Sequence, residues 1–127
     1  MALYNFENWI YLLYFAIDPS LRGKGIGGQA LAELNEMRGD KTITLDIERV
    51  PEGISDNRLR RRDFYLKRGF RSSGYFSHLF GVDYEYLILG PAREPEDYLA
   101  LCNSLWGEDS DKVYLDGNTL RIRGQTD

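Results

Sequence analysis

From Trp9 to Ile17 the chain is apolar or aromatic at nine consecutive positions. A run of that length without alternation predicts a strand buried on both faces, and Asp18-Pro19-Ser20 ends it because proline offers no amide donor. Between Ile26 and Met37, apolar residues recur at Ile26, Ala30, Leu34 and Met37, the spacing of one helix face, and Arg38-Gly39 closes it. Thr42 to Glu48 then alternates, with Ile43, Leu45 and Ile47 on one face and Thr44, Asp46 and Glu48 on the other. That is a half-buried strand. Strand, helix and strand in this order predict a βαβ-like unit in a parallel or partly parallel sheet.

The remaining chain is punctuated more by caps than by periodicity. Pro51 to Asp56 reads as a loop, with Asp56 capping a helix that runs to about Arg68 and Gly69 lying beyond its end. The apolar stripe of this helix is poor, so its caps carry the assignment. Phe70–Phe76 and Tyr84–Leu89 read as strands joined through Gly81. After Gly90-Pro91, Pro95 suits a first helical turn, and Tyr98, Leu99, Cys102, Leu105 and Trp106 share a face that ends at Gly107. Val113/Leu115 and Leu120/Ile122 flank Asp116-Gly117-Asn118, a hairpin signal. Residues 1–90 therefore read as a core, with 91–127 as a helix-hairpin appendix of the same domain.

Composition narrows the class. With 127 residues, 43% of them hydrophobic, the chain has room for one domain and a modest core. Cys102 is the only cysteine, which excludes a disulfide-stapled scaffold. A net charge of −4 argues against general affinity for nucleic acid. The longest apolar run is far short of the about 20 residues of a spanning helix, and no basic start precedes it as in a secretory signal. No membrane partner is expected, and the expected location is cytoplasmic.

Charge is nevertheless unevenly placed. Residues 57–71 hold seven bases (Arg58, Arg60, Arg61, Arg62, Lys67, Arg68 and Arg71) against the single acid Asp63. Such a concentration in an acidic chain fits either an anion site or a solvated helix face.

The glycine-rich turn carries the most chemistry. Arg22-Gly23-Lys24-Gly25-Ile26-Gly27-Gly28 joins the buried strand to the amphipathic helix. Glycines let backbone approach a ligand closely, and a helix start presents unpaired N–H groups at the positive end of its dipole. With Arg22 and Lys24 beside them, these groups suit a pyrophosphate. Gly23-x-Gly25-x-x-Gly28 formally matches a dinucleotide fingerprint, with Asp46 and Glu48 about 20 residues on. Five residues separate the strand from the first glycine, however, where that fingerprint has none. A nucleotide P-loop is excluded, because no Gly-Lys-Ser/Thr follows at the required spacing.

Phe15 to Gly27, with its core Arg22-Gly23-Lys24-Gly25-Ile26-Gly27, resembles the acetyl-CoA motif of the GNAT superfamily of N-acyltransferases, Arg/Gln-x-x-Gly-x-Gly/Ala. A second feature follows in order. Asn57, then Tyr65-Leu66-Lys67-Arg68-Gly69-Phe70, is similar to the family's Tyr-x-x-x-Gly-Phe region. The resemblance covers about residues 3–89. It implies an α/β fold, a GNAT-like mixed sheet with helices packed on it, here followed by a C-terminal helix and hairpin. It also implies transfer of an acetyl group from acetyl-CoA, as cosubstrate, to a primary amine of a small molecule or protein, by direct attack on the thioester.

By the same resemblance, Phe15 and Ile17 offer backbone to the pantetheine arm. Arg22, Gly23, Lys24, Gly25, Ile26, Gly27 and Gly28 hold the pyrophosphate, and Asn57 and Tyr65 line the channel near the sulfur. Tyr65, with a reference pKa near 10, suits a proton donor to a leaving thiolate. Glu48 is the candidate base, directly or through water, and Asp46 is a weaker one. Arg60–Arg62 approach the ribose phosphate or face water. His78, the lone histidine, reads as structural, and Cys102 as a core residue. No His/Cys cluster has metal-ligand spacing, so no metal is expected.

One departure stands out. A complete GNAT domain is expected to carry about three strands and two helices before the strand at 9–17, and here only Met1–Glu7 precede it. Met1–Phe6 reads as the tail of a preceding strand, turning at Glu7-Asn8. An amino-terminally truncated domain would leave the 9–17 strand with an open edge, to be covered by a second copy, giving a homodimer, or by the 91–127 appendix. Two other functions stay open: a non-catalytic CoA-binding or dimerisation module on a partial GNAT fold, and a dinucleotide-binding oxidoreductase fragment.

Overall fold

The computed structural model describes residues 2–14, 25–106 and 112–124. Ten elements follow in chain order: β1 (Ala2–Phe6), β2 (Trp9–Tyr14), α1 (Ile26–Met37), β3 (Thr42–Glu48), α2 (Asn57–Leu66), β4 (Arg71–Leu79), β5 (Val82–Leu89), α3 (Pro95–Trp106), β6 (Val113–Asp116) and β7 (Thr119–Ile122). The strands form one seven-stranded sheet in the order β1-β2-β3-β5-β4-β7-β6. β2–β3 and β4–β7 are parallel, and the other neighbours are antiparallel. The βαβ unit read from the sequence is β2-α1-β3. The sheet is mixed, as a GNAT-like fold requires, and not the all-parallel sheet of a dinucleotide-binding fold.

Alternation along the strands divides the core between two sheet faces. On one face Ile10, Leu12, Ile43, Leu45, Ile47 and Leu87 pack with Leu31 and Leu34 of α1 and with Tyr65 and Phe70. On the other, Trp9, Tyr11, Tyr86 and Ile88 pack with Tyr98, Leu101 and Cys102 of α3 and with Val113 and Leu120. Cys102 is thus a core residue. Leu13, continuing the β2 run, is 53% exposed, so the strand is not buried on both faces to its end; residues 15–17 lie outside the described residues.

Two expectations need correction. The face of α1 that enters the core is Gly27, Leu31 and Leu34, not Ile26, Ala30, Leu34 and Met37, and Met37 is 77% exposed. Gly27, Leu31 and Leu34 stand four and three positions apart and so share a face, turned from the predicted one. Nor is β2 an edge. β1 pairs with it from Ala2↔Tyr14 to Phe6↔Trp9, so the outermost strand at this end is β1. The segment after residue 90 does not cover that edge either. Its hairpin extends the sheet at the opposite end, β7 running parallel to β4, while α3 covers a face.

Arg93 ties the α3 segment to the β2–β3 end of the sheet. Its guanidinium donates to Thr42 Oγ1 (2.8 Å), to Asp40 O (2.7 Å) and to Asn8 O (3.3 Å), and Thr42 Oγ1 donates to Pro91 O (2.6 Å). Trp9 Nε1 donates to Asp97 O, and its ring meets Tyr98 edge-on at 5.0 Å. In β4 the register slips between Ser72 and Phe76, where Gly74 takes φ 80° and the two serine hydroxyls accept from the Gly74 and Tyr75 amides. This bulge aims Tyr75 at Tyr98, with ring centroids 4.1 Å apart and nearly parallel.

Candidate functional site

α1 begins at Gly25, which takes φ 75° and offers no side-chain cap. Only Gln29 N returns to the Gly25 carbonyl, at 3.0 Å. Among the described residues no side chain caps the amides of Ile26, Gly27 and Gly28, which open the helix at the positive end of its dipole. A Cβ on Gly28 would sit 2.8 Å from Arg68 Nε. Glycine at this position lets the Arg68 guanidinium lie against the first turn of α1. Phe15, Ile17, Arg22, Gly23 and Lys24 lie outside the described residues.

Between β2 and β3 the sheet opens. β2 and β3 share a parallel ladder only over Trp9–Tyr11 against Thr42–Thr44. Beyond it β2 stays with β1 and β3 stays with β5, out to Glu48↔Tyr84. The two strands part, and their facing backbone groups are left to another partner. Where the ladder stops, the Tyr11 hydroxyl donates to Asp46 Oδ1, bridging β2 to β3 through side chains. Burial and the neighbouring carboxylate push the Tyr11 phenol well above its usual value.

α2 supplies the second wall. Asp56 accepts from Arg58 N at 2.9 Å and starts the helix as its sequence predicts. Arg58, Arg61 and Tyr65 are spaced three and four apart, so they follow one face of α2, and Arg68 comes just past its end. The motif Tyr65-x-x-x-Gly69-Phe70 has a local cause. Gly69 takes φ 95°, which lets Phe70 N reach back to Tyr65 O (3.2 Å) and sets the two rings edge-on at 5.5 Å.

A hollow of about 120 Å³ between β3 and α2 is lined by Ile47, Glu48, Asn57, Arg58 and Arg61. It brings the expected Glu48 and Asn57 together. Tyr65 is not among its lining residues. Tyr65 is 4% exposed in the core, with the Arg61 charge acting on its hydroxyl. Burial raises the Tyr65 phenol, and the guanidinium opposes that rise. Glu48 is also engaged, by Arg58 Nη1 at 3.4 Å.

The basic run divides by partner. Arg58 is held by Asp56 (2.8 Å) and Glu48, while Arg62 binds the buried Glu85 through Nε at 2.8 Å. Arg60–Arg62 thus do not act as a block: Arg62 is spent on a structural ion pair and Arg61 faces the hollow. Arg68, which stacks over Phe64 at 3.8 Å, had no separate signal in the sequence; only the Gly28 contact singles it out. His78 is partnered, its Nδ1 lying 2.6 Å from Asp83 Oδ1 on the facing strand. Among the described residues no three His, Cys, Asp or Glu side chains gather as a metal site, and no helix is long and apolar enough to cross a membrane.

An uncapped glycine-rich helix start, a parting of parallel strands and a cationic helix face together fit a long ligand with an anionic end and an amide-bearing arm. Comparison with known proteins agrees with that geometry. The acetyltransferase (GNAT) domain matches residues 1–72. The chain is 34% identical over 99 residues to YjbC of Bacillus subtilis (strain 168), a protein classed as an acetyltransferase, covering 72% of this chain and 50% of that one. A Bacteroides thetaiotaomicron structure classed as a GNAT-family acetyltransferase superposes with TM-score 0.63 at 25% identity, over 81% of this chain and 60% of the other. An N-acetyltransferase from Staphylococcus aureus Mu50 shares the fold, with TM-score 0.53 at 24% identity over 68% and 43% of the two chains. The chain thus spans about half the length of the curated relative it matches. It belongs to the GNAT acetyltransferase family.

Proposed function

We propose that this chain binds acetyl-CoA in the parting between β2 and β3 and transfers the acetyl group to a primary amine. The observation that carries the reading is the lapse of the β2–β3 ladder after Tyr11↔Thr44, in the βαβ unit whose helix α1 opens at the glycine-rich Gly25–Gly28 turn. Free strand-edge groups suit the amides of a pantetheine arm, and the Gly25–Gly28 amides with Arg68 suit a pyrophosphate. Phe15, Ile17, Arg22, Gly23 and Lys24 are assigned to the same ligand by the family motif.

The bound thioester supplies the acyl carbon, and the residues of this chain handle the protons. The attacking amine forms a C–N bond as the C–S bond breaks. Glu48, or Asp46 on the same strand face, takes the proton lost by the amine, and Tyr65 supplies the proton for the departing thiolate. Asn57 lines the arm. Arg58 orients Glu48, and the Arg61 charge acts on the Tyr65 hydroxyl. The outer edge of β1 has no neighbour in the sheet among the described residues, and a homodimer that pairs this edge is part of the reading.

A second reading, a CoA-binding module without turnover, draws on the same contacts. Glu48 is paired with Arg58, and the Tyr65 ring lies in the core.

Calorimetric titration with acetyl-CoA, with NAD as control, tests the shared claim, and thiol release with an amine panel separates the two readings. Selective acetyl-CoA binding with amine-dependent thiol release is expected. Tyr65→Phe should slow release by about 100-fold, the scale of general acid catalysis, with acetyl-CoA affinity unchanged. Binding without release from any amine would favour the module, and failure to bind acetyl-CoA would overturn both. Light scattering at graded concentrations reads the dimer, and a monomer throughout would remove it.

A further inference from the structure

A different face of α2 borders a second hollow, of about 450 Å³, within the size range of small-ligand sites. Its walls are Val50, Pro51 and Ile54 from the β3–α2 loop, Leu59 of α2 and Phe76 of β4. At its polar side lies Glu85, 6% exposed and bonded by Arg62 through Nε (2.8 Å) and Nη2 (3.4 Å). Arg49 stands at the rim, its guanidinium carbon 4.3 Å from the Phe76 ring centroid. None of these residues except Arg62 belongs to the basic run, and none lines the Glu48–Asn57 hollow.

The charges do not cancel. Two guanidiniums face one carboxylate, and that carboxylate is taken by Arg62. Burial acts to raise Glu85, but the Arg62 and Ser72 bonds, with the Arg49 and Arg62 charges, hold it below the usual carboxylate range, so it stays ionised. Arg49 has no carboxylate at ion-pair distance among the described residues. Glu52 and Asp83 edge a neighbouring depression beyond it, and Asp83 is engaged by His78. Among the hollow's own lining residues one positive charge is therefore left over, at the mouth of a half-apolar hollow and already oriented by stacking on Phe76, so little further rotamer freedom is lost when an anion pairs with it.

We propose that this hollow is a binding site for an aromatic monocarboxylate. Its carboxylate pairs with Arg49, and its ring lies on Val50, Pro51, Ile54 and Leu59. A single excess charge favours a monoanion. The apolar wall favours a ring over a compact, strongly hydrated anion such as sulfate or phosphate. The wall is the loop that joins Glu48 to Asn57, so an occupant bears directly on the segment between those two residues.

Amide NMR titration of the full chain with benzoate tests this, with benzamide and inorganic sulfate as comparison probes. Saturable shifts centred on residues 49–54, 59 and 76 are expected. Benzamide and sulfate should bind about tenfold or more weakly, and Arg49→Ala should weaken benzoate by about tenfold or more, the loss of one charge-assisted pair. Arg49 is exposed, so this variant keeps the fold, and Arg49→Lys should recover part of the loss. Four results would each overturn the proposal: no saturable shift at millimolar benzoate, shifts centred elsewhere, equal response to benzamide or sulfate, or unchanged benzoate binding in Arg49→Ala. Acetyl-CoA titrated into the same sample reports on the other site independently.

Discussion

The Tyr11 hydroxyl donates to the Asp46 carboxylate at the point where β2 and β3 stop sharing backbone hydrogen bonds. A side-chain bond thus pins the vertex of the opening, and the strands can diverge beyond it without the whole β2–β3 seam loosening. It also seats one of the two candidate bases.

Tyr11→Phe removes that pin and leaves Asp46 without its donor. A loss of about 2 kcal/mol is expected, the scale of a hydrogen bond to a charged group, read as a lower urea midpoint at neutral pH.

Alkali should expose the same bond. Burial, first of all, raises both Tyr11 and Tyr86 far above the unfolded value of about 10, and Asp46 adds to each. A raised folded-state value means the unfolded chain loses these protons first. The stabilisation is complete below about pH 10 and falls as pH rises above it, by about 1.4 kcal/mol per unit for each phenol. Urea midpoints measured from neutral pH to pH 11 should decline steeply above 10, and Tyr11→Phe should make the decline shallower. An unchanged slope would count against the buried, bonded Tyr11.

Glu85 works in the opposite direction. Its folded-state value lies below the unfolded one, so its contribution is present above the ordinary carboxylate range and is lost as pH falls through the depressed value. Arg62→Ala leaves this buried carboxylate without its partner and should cost about 3 kcal/mol. Adding Glu85→Leu to Arg62→Ala should restore most of the loss in chemical denaturation, because the penalty is the unpaired charge.

The β4–β5 turn holds Phe80 at φ 53° with the side chain 71% exposed, followed by Gly81 at φ 78°. A bulky residue in the left-handed region is strained, whereas asparagine adopts it readily. Phe80→Asn should raise stability by about 1 kcal/mol, seen as a higher thermal midpoint.

Gly28→Ala separates fold from ligand. The added Cβ meets the movable end of Arg68, so the thermal midpoint should stay within a few degrees. Acetyl-CoA affinity should fall severalfold in calorimetry as the guanidinium is pushed from the first turn of α1. Unchanged affinity would remove Arg68 from the proposed cradle.

Much of the fold was legible in local signals. α1 and β3 occur with the predicted limits, Asp56 caps α2, and Asp116-Gly117-Asn118 turns the last hairpin. Each of these is written in consecutive residues through period, cap or turn chemistry, and so was the glycine-rich turn with its family resemblance. The path of the chain around those signals was less visible. The buried face of α1 includes Gly27, which no hydrophobic pattern marks, and two β4 residues are absorbed in a bulge at Gly74.

By itself, the sequence determined the order of elements, the family and the place of the glycine-rich turn between β2 and α1, because these depend on neighbours in the chain. Tertiary structure decided which charges are free. Arg62 and Arg49 are both arginines on the same stretch of chain, yet one is consumed by Glu85, 23 positions away, and the other has no carboxylate partner among the described residues and lies on Phe76. It also decided where the β2–β3 seam ends, that Tyr11 reaches Asp46 across it, and that β1 rather than β2 forms the sheet edge. Those outcomes depend on strand register and on distances between residues far apart in the chain, and nothing in a local pattern of side chains encodes them.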